Sequence, residues 1–177
     1  MTTVIEQVAP PRPMPAAALH GWQVAVVRPA DAAALHGLFA ACSEDTVGRR
    51  FFGRLRAFPA DYLAHVLAGR AEVHDAVVAY GADRARLVGL ASLALPPGSP
   101  VAELGVLVGD AWQRQGVGRA MLDLLLARAR DRGVLRVSAA VLPGRSALLG
   151  ALGRHLPAEH LAYSADGPSG VYKLDRT

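Results

Sequence analysis

The chain has 177 residues and 52% of them are hydrophobic, which is enough for one compact core and short for two domains. The formal net charge of +4 comes almost wholly from arginines spread among acids, with Lys173 the single lysine, so no basic stripe for nucleic acid is indicated. Cys42 is the single cysteine, which excludes an intrachain disulfide, and no Cys/His spacing resembles a metal site.

The N-terminal segment shows neither helical nor strand periodicity. Residues 1–19 carry Pro10, Pro11, Pro13 and Pro15 among alanines, which predicts a disordered Pro/Ala-rich tail before a single domain over residues 20–177. The segment lacks the basic head and apolar core of a signal peptide. No apolar run approaches the roughly 20 residues that span a bilayer. These features predict a cytoplasmic protein without a membrane partner.

The first half of the chain reads as a strand followed by three helices. A β-branched run over residues 22–28 predicts the strand, and Asp31 is the expected N-cap of a helix over residues 32–41. Ser43, followed by two acids, begins a second helix that runs to Phe52. Pro59 opens a third helix that ends at Leu67.

The second half alternates between strands and helices. The predicted strands cover residues 71–80, 86–95, 101–108 and 134–142, followed by a closing hairpin of 161–164 and 171–174. The predicted helices cover residues 117–132, with Gly133 as the stop signal, and 146–155. This order is typical of an α/β fold around a mixed sheet.

The most informative segment is the turn that opens the helix at residue 117. The first N–H groups of a helix have no intrahelical acceptor and lie at its positive end. The amides of Gly116, Val117, Gly118 and Arg119 therefore suit a phosphate or pyrophosphate, and Arg114 adds positive charge. The fragment also fits an ordinary tight turn. It lacks the third glycine of a dinucleotide-binding fingerprint and the Gly-Lys-Ser/Thr of a P-loop.

Residues 103–122 resemble the acetyl-CoA-binding motif of the GNAT N-acetyltransferase superfamily. That motif is Gln/Arg-x-x-Gly-x-Gly/Ala, and Gln113, Gly116 and Gly118 match it. The family's order of elements matches nearly the whole chain outside the tail. The resemblance implies one N-acetyltransferase domain over residues 20–177, with acetyl-CoA as co-substrate and no metal.

The same resemblance implies the geometry of the site. The expected fold is a mixed, mostly antiparallel central sheet of about seven strands with flanking helices, splayed at the coenzyme site. The strand ending near Val108 and the strand starting near Val134 would form a V that holds the pantetheine arm. The residues that the resemblance implies for coenzyme binding are Val106, Leu107, Val108, Gln113, Arg114, Gln115, Gly116, Val117, Gly118 and Arg119.

A second, narrower resemblance concerns residues 43–52. Their Ser…Arg-Phe-Phe pattern is similar to a segment of the bacterial branch that includes the Pat-type protein lysine acetyltransferases, where it lies near the acceptor. The alternative is that Phe51 and Phe52 are core residues and that Arg50 is a surface or ion-paired residue. Relatives with this segment need not modify proteins. The acceptor amine is therefore left open between a protein lysine and a small molecule.

Glu103 is the candidate general base. A lysine-like amine with a pKa near ~10.4 is protonated at neutral pH, and removing its proton costs roughly 4 to 5 kcal/mol. Glu103 is a lone carboxylate in an apolar strand that leads to the coenzyme site, so we expect it to be buried with a raised pKa. Pat-like relatives carry a glutamate at this position. The alternative is an outward-facing residue paired with an arginine.

Several residues depart from the family pattern. Arg145 stands where many members have asparagine, and residues 146–155 lack the tyrosine that protonates the leaving thiolate. Tyr163 could replace it only if the backbone brings it to the site, and Cys42 is a weak nucleophile candidate. The second hypothesis is therefore a non-catalytic acyl-CoA-binding regulatory module. The oligomeric state, including a homodimer, is left open.

Overall fold

The computed structural model describes residues 21–174. The strands are β1 (Trp22–Val26), β2 (His74–Gly81), β3 (Leu87–Ala94), β4 (Ala102–Val108), β5 (Arg136–Ala140), β6 (Ala158–Ser164) and β7 (Gly167–Lys173). The α-helices are α1 (Ala32–Ala41), α2 (Glu44–Phe51), α3 (Ala60–Leu67), α4 (Val117–Asp131) and α5 (Ala147–Gly153). The predicted tail over residues 1–19 lies outside the described residues.

All the described strands belong to one sheet in the order β1-β2-β3-β4-β5-β7-β6. Every neighbouring pair is antiparallel except β4 and β5. That parallel pair is in register at two positions, Ala102 with Val137 and Glu103 with Ser138. Beyond Glu103 the two strands diverge. The prediction of a mixed, mostly antiparallel sheet with a splay is therefore confirmed.

Alternation of side chains along the strands divides the apolar residues between two cores. Helices α1, α2 and α3 pack on one face, over Val78, Leu90 and Leu107. Helices α4 and α5 pack on the other face, over Leu93 and Leu104. Because the sheet is covered on both faces, the ends of the splayed strands provide an opening into its middle.

A buried ion pair ties the sheet to α4. Asp75 on β2 is 2% exposed, and its carboxylate accepts hydrogen bonds from Arg128 at 2.9 Å and Arg132 at 2.5 Å. Removing one partner of such a buried pair is costly because a desolvated charge stays behind. The helix that begins at the glycine turn is therefore fixed against the sheet through its C-terminal half.

The predicted starts of the first two helices had different outcomes. The second helix begins at Ser43 as predicted, and the Ser43 hydroxyl caps it by accepting a hydrogen bond from the Thr46 amide at 3.2 Å. The prediction for Asp31 is wrong, because its side chain does not cap α1. It is buried and accepts instead from the Arg28 amide at 2.8 Å and the Tyr80 hydroxyl at 2.7 Å. The carboxylate thus bonds a residue before the helix and a distant strand residue instead of the first amides of α1.

The closing hairpin is longer than predicted. Both strands begin earlier than predicted, β6 at Ala158 and β7 at Gly167. The added residues have low strand propensity, and those of β7 are Gly-Pro-Ser-Gly. Pairing with β5 holds this stretch as a strand. Glycine is also required there, because a Cβ on Gly170 would lie 2.8 Å from the ring of Tyr172. Tertiary pairing therefore overrides local propensity.

Candidate active site

Two adjoining cavities open where β4 and β5 diverge. The turn-side cavity, about 770 Å³, is lined by residues 106–108, by the turn after β4 and by the segment from Val141 to Ala151. The sheet-side cavity, about 650 Å³, is lined mainly by α2, by Tyr62 and by residues of β2 to β5. They share the residues Arg49, Arg50, Val106, Val141 and Leu148. The two cavities therefore meet at the splay.

The turn before α4 presents backbone donors to the turn-side cavity. Arg114 has φ 63° and Gly116 has φ 84°, two left-handed conformations that bend the chain before the helix. The Ala120 amide donates to the Gly116 carbonyl at 3.0 Å. The amides of residues 117–119 precede that bond and, as in any first helical turn, have no backbone acceptor within the helix. They form a favourable environment for an anion.

The two glycines of the turn are required for different reasons. Gly116 needs its left-handed backbone, which is costly for a residue with a Cβ. At Gly118 a Cβ would make only ordinary contacts, 3.6 Å from Val108 and 3.9 Å from Val106. The protein's own packing therefore does not demand glycine at position 118. A larger side chain there would extend into the turn-side cavity, so glycine at this position keeps the space beside the first turn of α4 open.

The glutamine side chains of the turn are used within the protein. The Gln113 amide donates to the Val108 carbonyl at 3.1 Å and to the Thr46 hydroxyl at 3.0 Å. Gln115 donates to the Ala111 carbonyl at 2.7 Å. The Arg119 side chain is 71% exposed and lies 3.9 Å from Asp123. The glutamines hold the shape of the turn, whereas the arginine remains available at its rim.

Asp110 links this turn to the N-terminus of α2. Its carboxylate accepts from the Ser43 amide at 2.8 Å, the Ser43 hydroxyl at 2.7 Å and the Thr46 hydroxyl at 2.8 Å. The hydrogen bonds from Ser43 are the largest cause of a lowered pKa for Asp110. Sequence analysis missed this link because the partners are more than 60 residues apart. It sets the position of α2 relative to the turn.

Glu103 lies in the lining of the sheet-side cavity, at the last paired position before the splay. The expectation of burial is wrong, since the Glu103 side chain is exposed. The reason is that β4 and β5 separate immediately after this residue, which opens the strand to solvent. Within residues 21–174 Glu103 forms no ion pair, so the alternative of an arginine-paired strand residue is not observed either.

Arg50 lies at the junction of the two cavities. One terminal nitrogen of its guanidinium donates to the Tyr62 hydroxyl at 3.1 Å and to the Ser92 hydroxyl at 3.4 Å. Its guanidinium carbon lies 4.7 Å from the ring centroid of Phe51. A Cβ on Gly105 would collide with the guanidinium, so that glycine makes room for it. The alternative for Arg50 was a surface or ion-paired residue; its side chain is half-buried and forms no ion pair within residues 21–174.

His74 is a buried polar residue of the sheet-side cavity that sequence analysis missed. It is 7% exposed and meets Tyr62 edge-on at 5.3 Å between centroids. Its Nε2 atom has no hydrogen-bond partner among the described residues. Desolvation, followed by the nearby His65 and Arg50, lowers the pKa of His74 to about 4. The imidazole is therefore neutral at physiological pH, and nothing in the local sequence signals this.

The two phenylalanines of the Arg-Phe-Phe segment behave differently. Phe51 packs against Phe39, Phe58 and Tyr62 in the core under α2. Phe52 ends the helix in a left-handed conformation and is 49% exposed. The interpretation of both as core residues is correct for Phe51 and wrong for Phe52.

The structure also locates the residues that depart from the family pattern. Tyr163 is 82% exposed and lies in neither cavity, so the backbone does not bring it to the site. Arg145 lines the turn-side cavity and lies 3.9 Å from Asp45. Burial, with a contribution from Asp110, raises the pKa of the Cys42 thiol to about 11. A thiol with that pKa is a poor nucleophile at neutral pH.

Within residues 21–174, no helix has the length and apolarity that crossing a membrane requires. The same described part contains no group of three or more His, Cys, Asp or Glu side chains placed to hold a metal ion.

The site combines a splayed pair of strands, a glycine turn at a helix N-terminus and a second cavity at the junction, an arrangement that suits an acyltransferase with an acyl-CoA donor. A family model described as the acetyltransferase (GNAT) family matches residues 33–151, more than half of the chain. The chain therefore belongs to the GNAT acetyltransferase family. It is an acetyl-CoA-dependent N-acetyltransferase, with acetyl-CoA as its co-substrate.

Solved structures of this fold are similar over most of the chain. The GNAT domain of S. lividans PAT has a TM-score of 0.73 at 19% identity, with coverage of 85% of this chain and 89% of that one. The yncA protein of Salmonella typhimurium, solved with its cofactor acetyl-CoA, has a TM-score of 0.67 at 17% identity, covering 89% and 96%. At these identities the likeness shows the fold alone. A search of curated protein sequences found no match.

Proposed function

We propose that this chain moves an acetyl group from acetyl-CoA to a primary amine, of a protein lysine or a small molecule, by direct attack with Glu103 as general base. The observation that carries the proposal is the meeting of two cavities at the splay. One presents helix amides suited to pyrophosphate, and the other contains a carboxylate. A transferase needs both substrates to reach one point, and these cavities share Val106 there.

The coenzyme would occupy the turn-side cavity. Its pyrophosphate would accept hydrogen bonds from the amides of residues 116–119, with Arg114 and Arg119 at the rim. The pantetheine arm would pair with the free edge of β4 at residues 106–108, which β5 no longer covers. The side chains of Gln113 and Gln115 would preserve the turn rather than contact the coenzyme.

Bound acetyl-CoA supplies an acetyl thioester, whose carbonyl carbon gains a bond to the amine nitrogen while its carbon–sulfur bond breaks and the sulfur leaves with the electron pair. Glu103 accepts the proton that converts the ammonium into the neutral amine and releases it to water, for which its exposure is an advantage. The second proton leaves the nitrogen after the carbon–nitrogen bond forms and passes through solvent to the departing thiolate. The positive charge of Arg50 favours the neutral form of a nearby amine. The amide of Val106 can donate to the developing negative charge on the carbonyl oxygen.

A second candidate is a regulatory module that binds acyl-CoA without turning it over. It is favoured by the position of Tyr163 outside both cavities, which leaves no tyrosine from β6 to protonate the leaving group. A thiolate with a pKa near ~8.5 is a fair leaving group without help, so this observation does not require the second candidate.

Calorimetric titration of acetyl-CoA into the wild type and Glu103→Gln, combined with thiol release on a panel of amines and peptides, tests the proposal. We expect similar coenzyme affinity in both proteins and a loss of about 10²- to 10⁴-fold in kcat for the variant, the usual contribution of a general base. Binding without turnover on any amine would favour the regulatory module. An unchanged kcat in the variant would remove Glu103 from the mechanism.

A further inference from the structure

Arg50 carries a positive charge that no carboxylate neutralises within residues 21–174. Its hydrogen-bond partners are two neutral hydroxyls, on Tyr62 and Ser92. The Nε atom is buried and has no acceptor in the same part of the chain. A partly buried cation without a counter-ion is costly to the folded protein. Because a charge removed from water is tolerated best with a partner, the unpaired guanidinium is a candidate position for an anionic group of a ligand.

The guanidinium is also held in a fixed position. Two rings lie beside it, Phe51 at 4.7 Å and Tyr62 at 5.1 Å from its central carbon. The Tyr62 and Ser92 hydroxyls are themselves 3.1 Å apart, so each helps to orient the other. The absence of a side chain at Gly105 lets the guanidinium approach the strand. Such preorganisation lowers the entropy cost of binding an anion.

The sheet-side cavity has charges of opposite sign at two places, Glu103 and Arg50, whereas Arg49 in the same lining is paired with Asp45. Glu103 and Gly105 are alternate residues of β4 and therefore point to the same face, about 7 Å apart. Arg50 covers Gly105, and Glu103 is the acid in the lining of that cavity. One small molecule with an amine and an anion a few bonds apart can therefore reach both residues.

From this placement we propose that the acceptor is a small amine that also carries a carboxylate, of the amino-acid type. Its carboxylate pairs with the guanidinium of Arg50 while its amine faces Glu103. This inference rests on the proposed function and narrows its acceptor. A lysine side chain of a protein would place neutral methylene groups beside Arg50, which leaves the guanidinium charge unpaired.

The test compares acceptors in matched pairs, free amino acids and ω-amino acids against their primary amides, by thiol release. In the pair that reacts best, the wild type should have a higher kcat/KM for the carboxylate than for the amide. Arg50→Gln should lower the ratio of these two kcat/KM values by about 10- to 100-fold. Arg50→Lys should keep part of the preference. The control is Arg54→Gln, which removes an equal charge from a 93% exposed side chain outside both cavities and should leave the preference unchanged.

Other results would overturn the inference. Equal losses on acid and amide in Arg50→Gln would mean that Arg50 acts on the amine or on the thioester carbonyl, and not on a carboxylate of the acceptor. A preference of the wild type for lysine peptides over every amino acid would assign the cavity to a protein substrate.

A binding measurement separates this inference from the proposed function. In the presence of CoA, an N-acetyl amino acid should bind the wild type more tightly than its amide, and Arg50→Gln should abolish the difference. This result would support the carboxylate site even if no amine were turned over. Equal binding of acid and amide to the wild type would overturn it, whatever the catalytic outcome. Thermal unfolding of each variant establishes that it is folded.

Discussion

The two cavities at the splay are built in contrasting ways. The turn-side cavity takes most of one wall from a continuous segment, residues 106–119, and combines the backbone amides of the glycine turn with arginine side chains around them. The sheet-side cavity is assembled from α2, α3, α5 and five strands, and offers charged and polar side chains. Backbone donors depend on local conformation, whereas a cluster of side chains depends on the packing of distant elements. The first should therefore be sensitive to shape, and the second to charge and protonation.

The largest effect that we expect on the turn side comes from filling the cavity at Gly118. Gly118→Leu should raise the Kd for acetyl-CoA on the order of 100-fold, equivalent to the loss of about two hydrogen bonds to a charged group. Titration calorimetry measures it, and the control is Glu103→Gln, which should bind the coenzyme as the wild type does. An unchanged Kd in a folded Gly118→Leu protein would show that the pyrophosphate lies elsewhere.

The sheet side should be sensitive to pH through His74. Its pKa is lowered to about 4 by desolvation, His65 and Arg50, against the opposing effect of Asp75. In the unfolded chain His74 has its ordinary pKa near ~6.5, so on acidification the unfolded chain binds this proton before the folded protein does. The contribution of the neutral imidazole to stability is therefore fully present above pH ~6.5 and is lost as the pH falls toward 4. At pH 5 the loss should be about 2 kcal/mol.

Urea unfolding at pH 7 and pH 5 measures this loss. His74→Phe, which keeps an aromatic ring and cannot titrate, should remove it. The exposed control His160→Gln should keep it. Equal pH dependence in the wild type and His74→Phe would show that the imidazole is not held neutral by burial.

Replacing the two glycines of the turn by alanine should change the free energy of unfolding in opposite directions. Gly116→Ala should lower the free energy of unfolding by about 1 kcal/mol, because its φ of 84° is unfavourable for alanine. Gly118→Ala should raise it by about 0.5 to 1 kcal/mol, because position 118 is helical and has room for a methyl group. Chemical denaturation measures both, and a change of the same sign would contradict this view of the turn.

The smallest expected effect concerns the link between the two sides. Asp110→Asn should reduce the free energy of unfolding by about 0.5 to 1 kcal/mol at pH 7, a modest value because the carboxylate is exposed to solvent. The pKa of Asp110 is lowered, so its contribution is present above the unfolded value near ~3.9 and disappears as the pH falls through the folded value. The gap between wild type and variant should therefore close in acid, and a gap that persists there would have another cause.

The sequence by itself determined the order of elements and the turn-side half of the site. The glycine turn is local: a strand, a left-handed bend and a helix start are set by neighbouring residues, so the spacing of Gln113, Gly116 and Gly118 was enough to locate it. The same spacing carried the family resemblance, which the match over residues 33–151 supports. Periodicity also located α4 to within a residue of its C-terminal end.

Only the tertiary structure decided the sheet-side half. The burial of His74 depends on the ring of Tyr62 that packs against it, and the exposure of Glu103 depends on where the parallel pairing of β4 and β5 stops. The position of Arg50 over Gly105 depends on how α2 packs on the sheet, and none of these contacts leaves a local signal. Asp31 likewise bonds Tyr80 across 49 residues rather than capping its own helix. The physical reason is the same in each case. Desolvation and charge at a side chain are set by neighbours that the fold brings together, whereas backbone conformation is set largely by the residues adjacent in the chain.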